Sequence, residues 1–217
     1  MDSNMKVYNF AQGTPEWFEA RMGLPTASRF EDVLAAVKSG EAASRRNYRA
    51  ELVVQLITQK PAEPGFTTQD MRNGTEREPF ARIEYEVRTG TMVQEVGFVR
   101  IDNPICGASP DGLIDHDGGI EIKCPNAASH FEYLRLPVGA APSKYIAQIQ
   151  GSMMVTNRHW WDFVSFHPDY PPATRLIVRR VMRDQTYIDR LLAELEKFNR
   201  EVTEDFAFAT KYQEPQC

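Results

Sequence analysis

The chain has 217 residues, of which 42% are hydrophobic and 25% charged, and its formal net charge is −5. That length can bury a core without disulfide or metal staples, and the composition excludes a disordered chain. The acidic balance excludes a whole-molecule attraction to nucleic acid, so any contact with DNA has to come from local Lys and Arg clusters or from a bound divalent cation.

Thr14-Pro15-Glu16-Trp17 reads as an N-cap followed by proline at the first helical position, opening a helix that ends near Gly23. Pro25-Thr26 opens a second helix, with Ala27, Phe30, Val33 and Leu34 at helical spacing. The third covers 42–59 and turns Leu52, Val53, Leu56 and Ile57 inward. A Pro/Gly-containing loop over 60–66 leads to a long helix over 68–88. Phe80, Ile83, Tyr85 and Val87 are expected to be partly buried on that helix, and Pro79 predicts a kink or a late start. From Gly90 the pattern changes to short β-branched runs at 91–96, 98–102, 108–114 and 119–124, read as adjacent, mainly antiparallel strands. Helices return at 128–136 and 143–156, strands at 160–166 and 174–182, and an amphipathic helix at 185–206 carries Ile188, Leu191, Leu192, Leu195 and Phe198 on one side. Strands between helical blocks predict an α/β fold with a central mixed sheet flanked by helices. The expected organisation is a single domain over 1–217, with a helical N-terminal segment, a core at about 68–182 and a C-terminal helix.

Ser109-Pro110-Asp111-Gly112, followed by Gly119-Ile120-Glu121-Ile122-Lys123-Cys124-Pro125, carries the chemistry. Glu121 and Lys123 are two apart on a strand and face one way, while Ile120 and Ile122 face a core. Pairing through the turn at 115–118 brings Asp111 beside Glu121. Two carboxylates and an ammonium then converge, a grouping suited to a hard cation such as Mg²⁺. The Ile122 carbonyl offers a further oxygen, and Lys123 is placed to orient or deprotonate a water and to offset transition-state charge. That chemistry is phosphodiester hydrolysis. The same letters also fit a hairpin with a solvated Glu/Lys pair; Pro110, Gly112 and the two isoleucines favour the buried strand. The pattern resembles the PD-(D/E)xK nuclease superfamily.

Further segments sharpen the resemblance: Trp17-Phe18-Glu19-Ala20-Arg21-Met22-Gly23 with Thr26-Ala27-Ser28, Gly74-Thr75-Glu76-Arg77-Glu78-Pro79-Phe80-Ala81-Arg82, and Tyr145-Ile146-Ala147-Gln148-Ile149-Gln150. In this order, with the acidic strand pair, they resemble the phage lambda exonuclease and viral alkaline-exonuclease family over about residues 13–166.

The resemblance implies a PD-(D/E)xK core in which Asp111, Glu121 and the Ile122 carbonyl ligate metal, Lys123 is the catalytic lysine, Glu78 is a further acid near a second metal, and Gln148 orients water or the scissile phosphate. It implies Arg21, Ser28 and Ser109 as the 5′-phosphate pocket, Met71 as a strand-separating wedge, and Lys38 and Tyr145 as DNA contacts. It further implies two Mg²⁺ ions, with Mn²⁺ able to substitute, and 5′-to-3′ degradation of one strand at double-stranded DNA ends. The products are mononucleotides and a 3′ overhang. A homotrimer ring and a single-strand annealing protein are the implied partners. Where the family can carry an arginine past Pro125, this chain has Ser129-His130. A structure-specific endonuclease on the same core and a non-catalytic DNA-end-binding recombination protein are the alternatives.

Elsewhere, Arg45, Arg46 and Arg49 cluster on one helix and Arg179, Arg180 and Arg183 near a strand end; each is read as a solvated face or a phosphate contact. Trp160, Trp161, Phe163 and Phe166 could suggest base stacking, but their strand spacing favours core and subunit interface. The four histidines show no ligand spacing, and no phosphate-binding loop for ATP is present. Cys106, Cys124 and Cys217 are widely spaced and form no zinc-type pair, which fits a reducing compartment. No apolar run approaches the roughly 20 residues of a membrane helix, and the first residues lack a secretory pattern. The expectation is an enzyme of the bacterial host cytoplasm with no membrane partner.

Overall fold

The computed structural model describes residues 5–61 and 69–212, with the side chains of 69–71 outside the description. In chain order the elements are β1 (Met5–Tyr8), α1 (Pro15–Arg21), a 3-10 turn (Ala27–Arg29) leading into α2 (Phe30–Leu34), α3 (Ala43–Thr58), α4 (Gln69–Thr89), β2 (Phe98–Asp102), β3 (Ile105–Ala108), β4 (Gly112–Ile114), β5 (Gly118–Lys123), α5 (Ala127–Leu134), α6 (Ser143–Thr156), β6 (Trp160–Phe166), β7 (Leu176–Met182) and α7 (Gln185–Lys211). The α1 start is as expected: the Thr14 side chain accepts from the Trp17 N–H, and Pro15 follows where no donor is needed.

The strands divide into two sheets, ordered β1-β2-β3 and β4-β5-β6-β7. The first is wholly antiparallel, and the second pairs β5 with β6 in parallel through the α5–α6 crossover. The run expected as one strand over 108–114 is broken at Ser109–Asp111, where the chain passes from the first sheet into the second. The strand expected at 91–96 does not form; that segment makes a single bridge, Gln94 to Leu113. The unforeseen β1 pairs with β2 as an edge strand.

Helix α4 covers one face of the second sheet. Ala81 and Tyr85 pack there with Ile114, Ile120, Ile122, Val164, Phe166 and Leu176. Of the α4 residues expected to be partly buried, only Tyr85 is; Phe80, Ile83 and Val87 are exposed. The buried stripe runs i, i+4 through Ala81 and Tyr85, and the three exposed residues lie off it. The Tyr85 hydroxyl donates to Asp162 Oδ2 at 2.7 Å, and Arg180 grips the same buried carboxylate through Nε and Nη2, both at 2.9 Å. This network ties α4 to β6 and β7.

The opposite side holds the larger core. Trp161, Phe163, Ile149 and Met153 meet the apolar stripe of α7, Ile188, Leu191, Leu195, Phe198 and Val202. Gly119 is required here, because a Cβ would lie 2.2 Å from the Trp161 ring. The Trp160–Phe166 aromatic run is core, with Trp160 the partly exposed member. Of the α3 arginines Arg46 is exposed, whereas Arg45 and Arg49 are committed internally: both pair with Glu41 and Glu201, and Arg49 reaches Asp205 at 2.6 Å. They bind α3 to α7 and do not form a free basic face.

Candidate active site

The Gly112–Ile120 pair of the β4–β5 ladder sets Asp111 beside Glu121. Asp111 Oδ2 accepts from the Ile122 N–H at 2.6 Å, which fixes the carboxylate against β5. Glu121 is 1% exposed, and its Oε1 accepts from Gln148 Nε2 at 2.7 Å and pairs with Lys123 Nζ at 2.6 Å. Gln148 comes from the second turn of α6. Glu121 Oε2 is buried with no hydrogen-bond partner. A buried carboxylate oxygen without a partner is costly unless a cation or donor meets it.

Electrostatics bind Glu78 into the same group. Burial, then the charge of Asp111, pushes the Glu78 carboxyl up to about 7. Burial, then Glu121, pushes Asp111 up to about 7. Glu121 is raised by burial and by Glu78, with Lys123 opposing. Burial alone would lower Lys123, but Glu121 and Asp111 overcome it and hold the ammonium above its ordinary value. Three carboxyl groups therefore share one ammonium and resist full ionisation together. Arg82, one turn after Glu78, donates to Glu78 Oε1 at 3.1 Å and pairs with Glu95.

This donor set fits a hard divalent cation. Asp111, Glu121 and the Ile122 carbonyl would hold it, and added positive charge would let the raised carboxyls ionise. Among the described residues no three acidic, histidine or cysteine groups stand close enough to cage an ion by themselves.

A second polar cluster begins two residues before Asp111. Ser109 Oγ accepts from Arg21 Nη1 at 2.8 Å and from Trp17 Nε1 at 3.0 Å. Arg21 Nη2 reaches Thr26 Oγ1 at 3.4 Å, and Thr26 Oγ1 lies 3.5 Å from Ser28 Oγ. The guanidinium rests 4.0 Å from the centre of the Trp17 ring, and no carboxylate pairs with it among the described residues. Burial lowers Arg21 from 12.5 to about 10, with a smaller opposing effect from Tyr48. With two donors already on its oxygen, the Ser109 hydroxyl has its own hydrogen left to donate outward. A largely buried guanidinium without a carboxylate partner, beside hydroxyl groups, has the chemistry to receive an anion.

The structure thus brings together Glu78, Asp111, Glu121, Ile122, Lys123 and Gln148, with Tyr145 alongside, its ring centre 5.0 Å from Lys123 Nζ. It separately groups Arg21, Ser28 and Ser109. Lys38 lies exposed in the loop after α2, and no contact ties it to either group. Met71 falls in the first turn of α4, and its side chain lies outside the described residues. His130 is buried between Ser165 Oγ at 2.8 Å and the Thr174 carbonyl at 2.9 Å, so it serves packing. Trp17, Thr26 and Arg82 are contributors that sequence reasoning missed as site residues. Arg82 had a signal, since Glu78 and Arg82 stand i, i+4 on one helix; Trp17 had none, because its partner Ser109 lies 92 residues away, and Thr26, though near Arg21 in the chain, belongs to no helix or strand period shared with it.

The fold and the Asp–Glu–Lys centre define the class: a PD-(D/E)xK nuclease-type core. The YqaJ-like viral recombinase domain matches residues 16–159. The alkaline exonuclease LHK-Exo of Laribacter hongkongensis is 40% identical to this chain, over 91% of this chain and 97% of its own, with a TM-score of 0.81. The same enzyme solved in complex with dAMP gives 0.82 over the same shares. A phage related exonuclease from Haemophilus somnus 129PT, at 14% identity over 84% of this chain and 96% of its own, shares the fold with a TM-score of 0.63. No curated protein sequence matches. The chain belongs to the YqaJ-like viral recombinase family and is a homologue of the alkaline exonuclease.

Proposed function

We propose that the protein is a Mg²⁺-dependent exonuclease that degrades one strand of duplex DNA from its 5′ end, releases 5′-mononucleotides and leaves a 3′ overhang for recombination by strand annealing. The observation that carries this reading is the buried Glu121, held by Gln148 and Lys123 through Oε1 and leaving Oε2 without a partner next to Asp111. When bound, the cation supplies Lewis acidity at a phosphoryl oxygen and eases ionisation of water. The chain's own groups do the rest. Lys123 holds or moves the proton of the attacking water and offsets charge on the phosphoryl oxygens. Gln148 keeps Glu121 Oε1 in place, and Glu78, poised near neutrality, accepts a hydrogen bond from water at the rim. The Arg21–Ser28–Ser109 cluster takes the terminal 5′-phosphate, which fixes direction and registers the first phosphodiester at the carboxylates. The relative solved with dAMP holds a deoxynucleoside monophosphate, the product class proposed here.

A ring homotrimer, a single-strand annealing partner and action in the bacterial cytoplasm follow from the family resemblance. None of the described helices is long and apolar enough to cross a membrane. The test is digestion of linear duplexes labelled at the 5′ or the 3′ end, with Mg²⁺, Mn²⁺ or chelator, alongside closed circular DNA. The reading expects metal-dependent release of 5′ label as mononucleotide, retention of the 3′-labelled strand and intact circles. Cleavage of circles, or loss of the 3′ label first, would overturn it.

A further inference from the structure

We propose that Lys144 is a DNA-binding residue that takes the phosphate on the 3′ side of the scissile bond, in the strand being cut. This rests on the exonuclease reading above and adds to it a contact that residue spacing did not indicate. Lys144 is exposed in the first turn of α6, one turn before Gln148. Its Nζ lies 4.9 Å from the centre of the Tyr145 ring and 5.9 Å from that of Tyr133. Lys123 Nζ lies 5.0 Å from the same Tyr145 centre. The two ammonium groups are therefore no more than about 10 Å apart, the sum of those two distances. A nucleic-acid strand advances about 3.4 Å along the helix axis per phosphate. Cations so spaced can serve neighbouring linkages.

The settings of the two lysines differ. Lys123 is bound to Glu121 and serves the reaction centre. Lys144 has no carboxylate partner among the described residues; its neighbours are two phenol rings, and the Tyr133 and Tyr145 hydroxyls hold its ammonium above its ordinary value against burial. The rings restrict the side chain without neutralising it, so a point charge stays available to a phosphate. Tyr133 and Tyr145 are in turn held edge-on to each other at 6.5 Å, and each packs on the buried Phe163 at 5.6 Å. The platform is rigid from the core outward.

On the exonuclease reading the terminal phosphate is assigned to Arg21 and Ser109 and the first phosphodiester to Asp111, Glu121 and Lys123. The unpaired cation next to Lys123, across the Tyr145 ring, is Lys144, so the next phosphate of the strand is the one assigned to it.

The experiment compares wild type, Lys144→Gln and Lys144→Arg on 5′-phosphorylated duplexes, with one uncharged methylphosphonate placed at the second internucleotide linkage from the 5′ end. On unmodified duplex, K144Q is expected to raise KM about fivefold, the scale of one exposed ion pair, and K144R to restore most of it. In DNA binding, K144Q is expected to lower the slope of log affinity against log salt by about 1. The methylphosphonate is expected to slow wild type about as much as K144Q slows the unmodified substrate, and to have no added effect in K144Q. Additive effects of the two changes, or an unaltered salt slope, would overturn the assignment. If wild type cuts no duplex, the exonuclease reading fails, and the salt slope of K144Q still decides for or against Lys144.

Discussion

Arg21 gives the sharpest test, because its energetics can be worked from its surroundings. Its guanidinium is largely buried, contacts hydroxyls and an indole ring, and has no carboxylate among the described residues. A fall from 12.5 to about 10 corresponds to about 3 kcal/mol held against the charged form. Surroundings that impose such a penalty also screen poorly, so an added anion is attracted strongly, and the penalty sets the scale of the relief. Part of the side chain still meets solvent, which reduces that scale to about 1.5–3 kcal/mol, or about tenfold to a hundredfold. Wild-type kcat/KM on a 5′-phosphoryl duplex is therefore expected to exceed that on a 5′-hydroxyl duplex by this factor. Arg21→Ala should bring the two substrates within about twofold. Arg21→Lys should keep only part of the preference, because a point charge lacks the planar fork that reaches Ser109 and phosphate together. The assay is initial release of nucleotide from duplexes differing only in that terminal group. Equal kcat/KM for the two ends in wild type, or a preference untouched in R21A, would refute the pocket.

Lys123→Ala is expected to remove cleavage while retaining the fold and DNA-end binding, read by melting and by fluorescence anisotropy; near wild-type hydrolysis would count against the mechanism. Tyr85→Phe removes a 2.7 Å hydrogen bond to the buried Asp162 but leaves the Arg180 pair in place. The cost is expected at about 2 kcal/mol, or about 4–8 °C in Tm for a chain of this size, and an unchanged Tm would show the bond to be idle. Burial holds His130 below its ordinary value, with the Thr174 carbonyl opposing and His167 assisting. The folded state therefore keeps the neutral ring, and its contribution is present above the unfolded value of about 6.5 and is lost as pH falls toward the folded one. Urea midpoints should drop between about pH 7 and 5, and the drop should shrink in His130→Gln; an equal drop in both would exclude His130 as its source.

What could be read from the sequence was what repeats locally. The α7 stripe shows as a 3.6-residue period over several turns, and Glu121 and Lys123 show as a two-residue period on one strand. Both signals lie within a few residues of themselves. The edge strand β1 has only four residues, and its partner β2 begins about ninety residues later, so no local pattern marks it. The run at 91–96 has strand-like letters but only one bridge to β4. On α4 the letters mislead, because the sheet receives Ala81 and Tyr85 and leaves the larger Phe80, Ile83 and Val87 outside. The Arg21 cluster joins residues 17, 21, 26 and 109, and only family resemblance suggested any of them; its physical sense, a buried cation without an acid, appears only in three dimensions.

The net charge of −5 also means less than it first suggests. Several arginines are already paired within the molecule: Arg29 with Asp32 and Glu51, Arg45 and Arg49 with Glu41 and Glu201, Arg175 with Glu84, Arg180 with Asp162. Such pairs add little long-range field, because each cation's charge is cancelled within a few ångströms. Arg21 and Lys144 have no acidic partner among the described residues, and each lies near the Asp111–Glu121–Lys123 centre, Arg21 through Ser109 and Lys144 through Tyr145. On the proposed reading, these two charges draw a phosphate chain toward the acidic centre. On that reading, an acidic protein can hold a DNA end through a few unpaired cations close to its carboxylates, whatever the sign of its net charge.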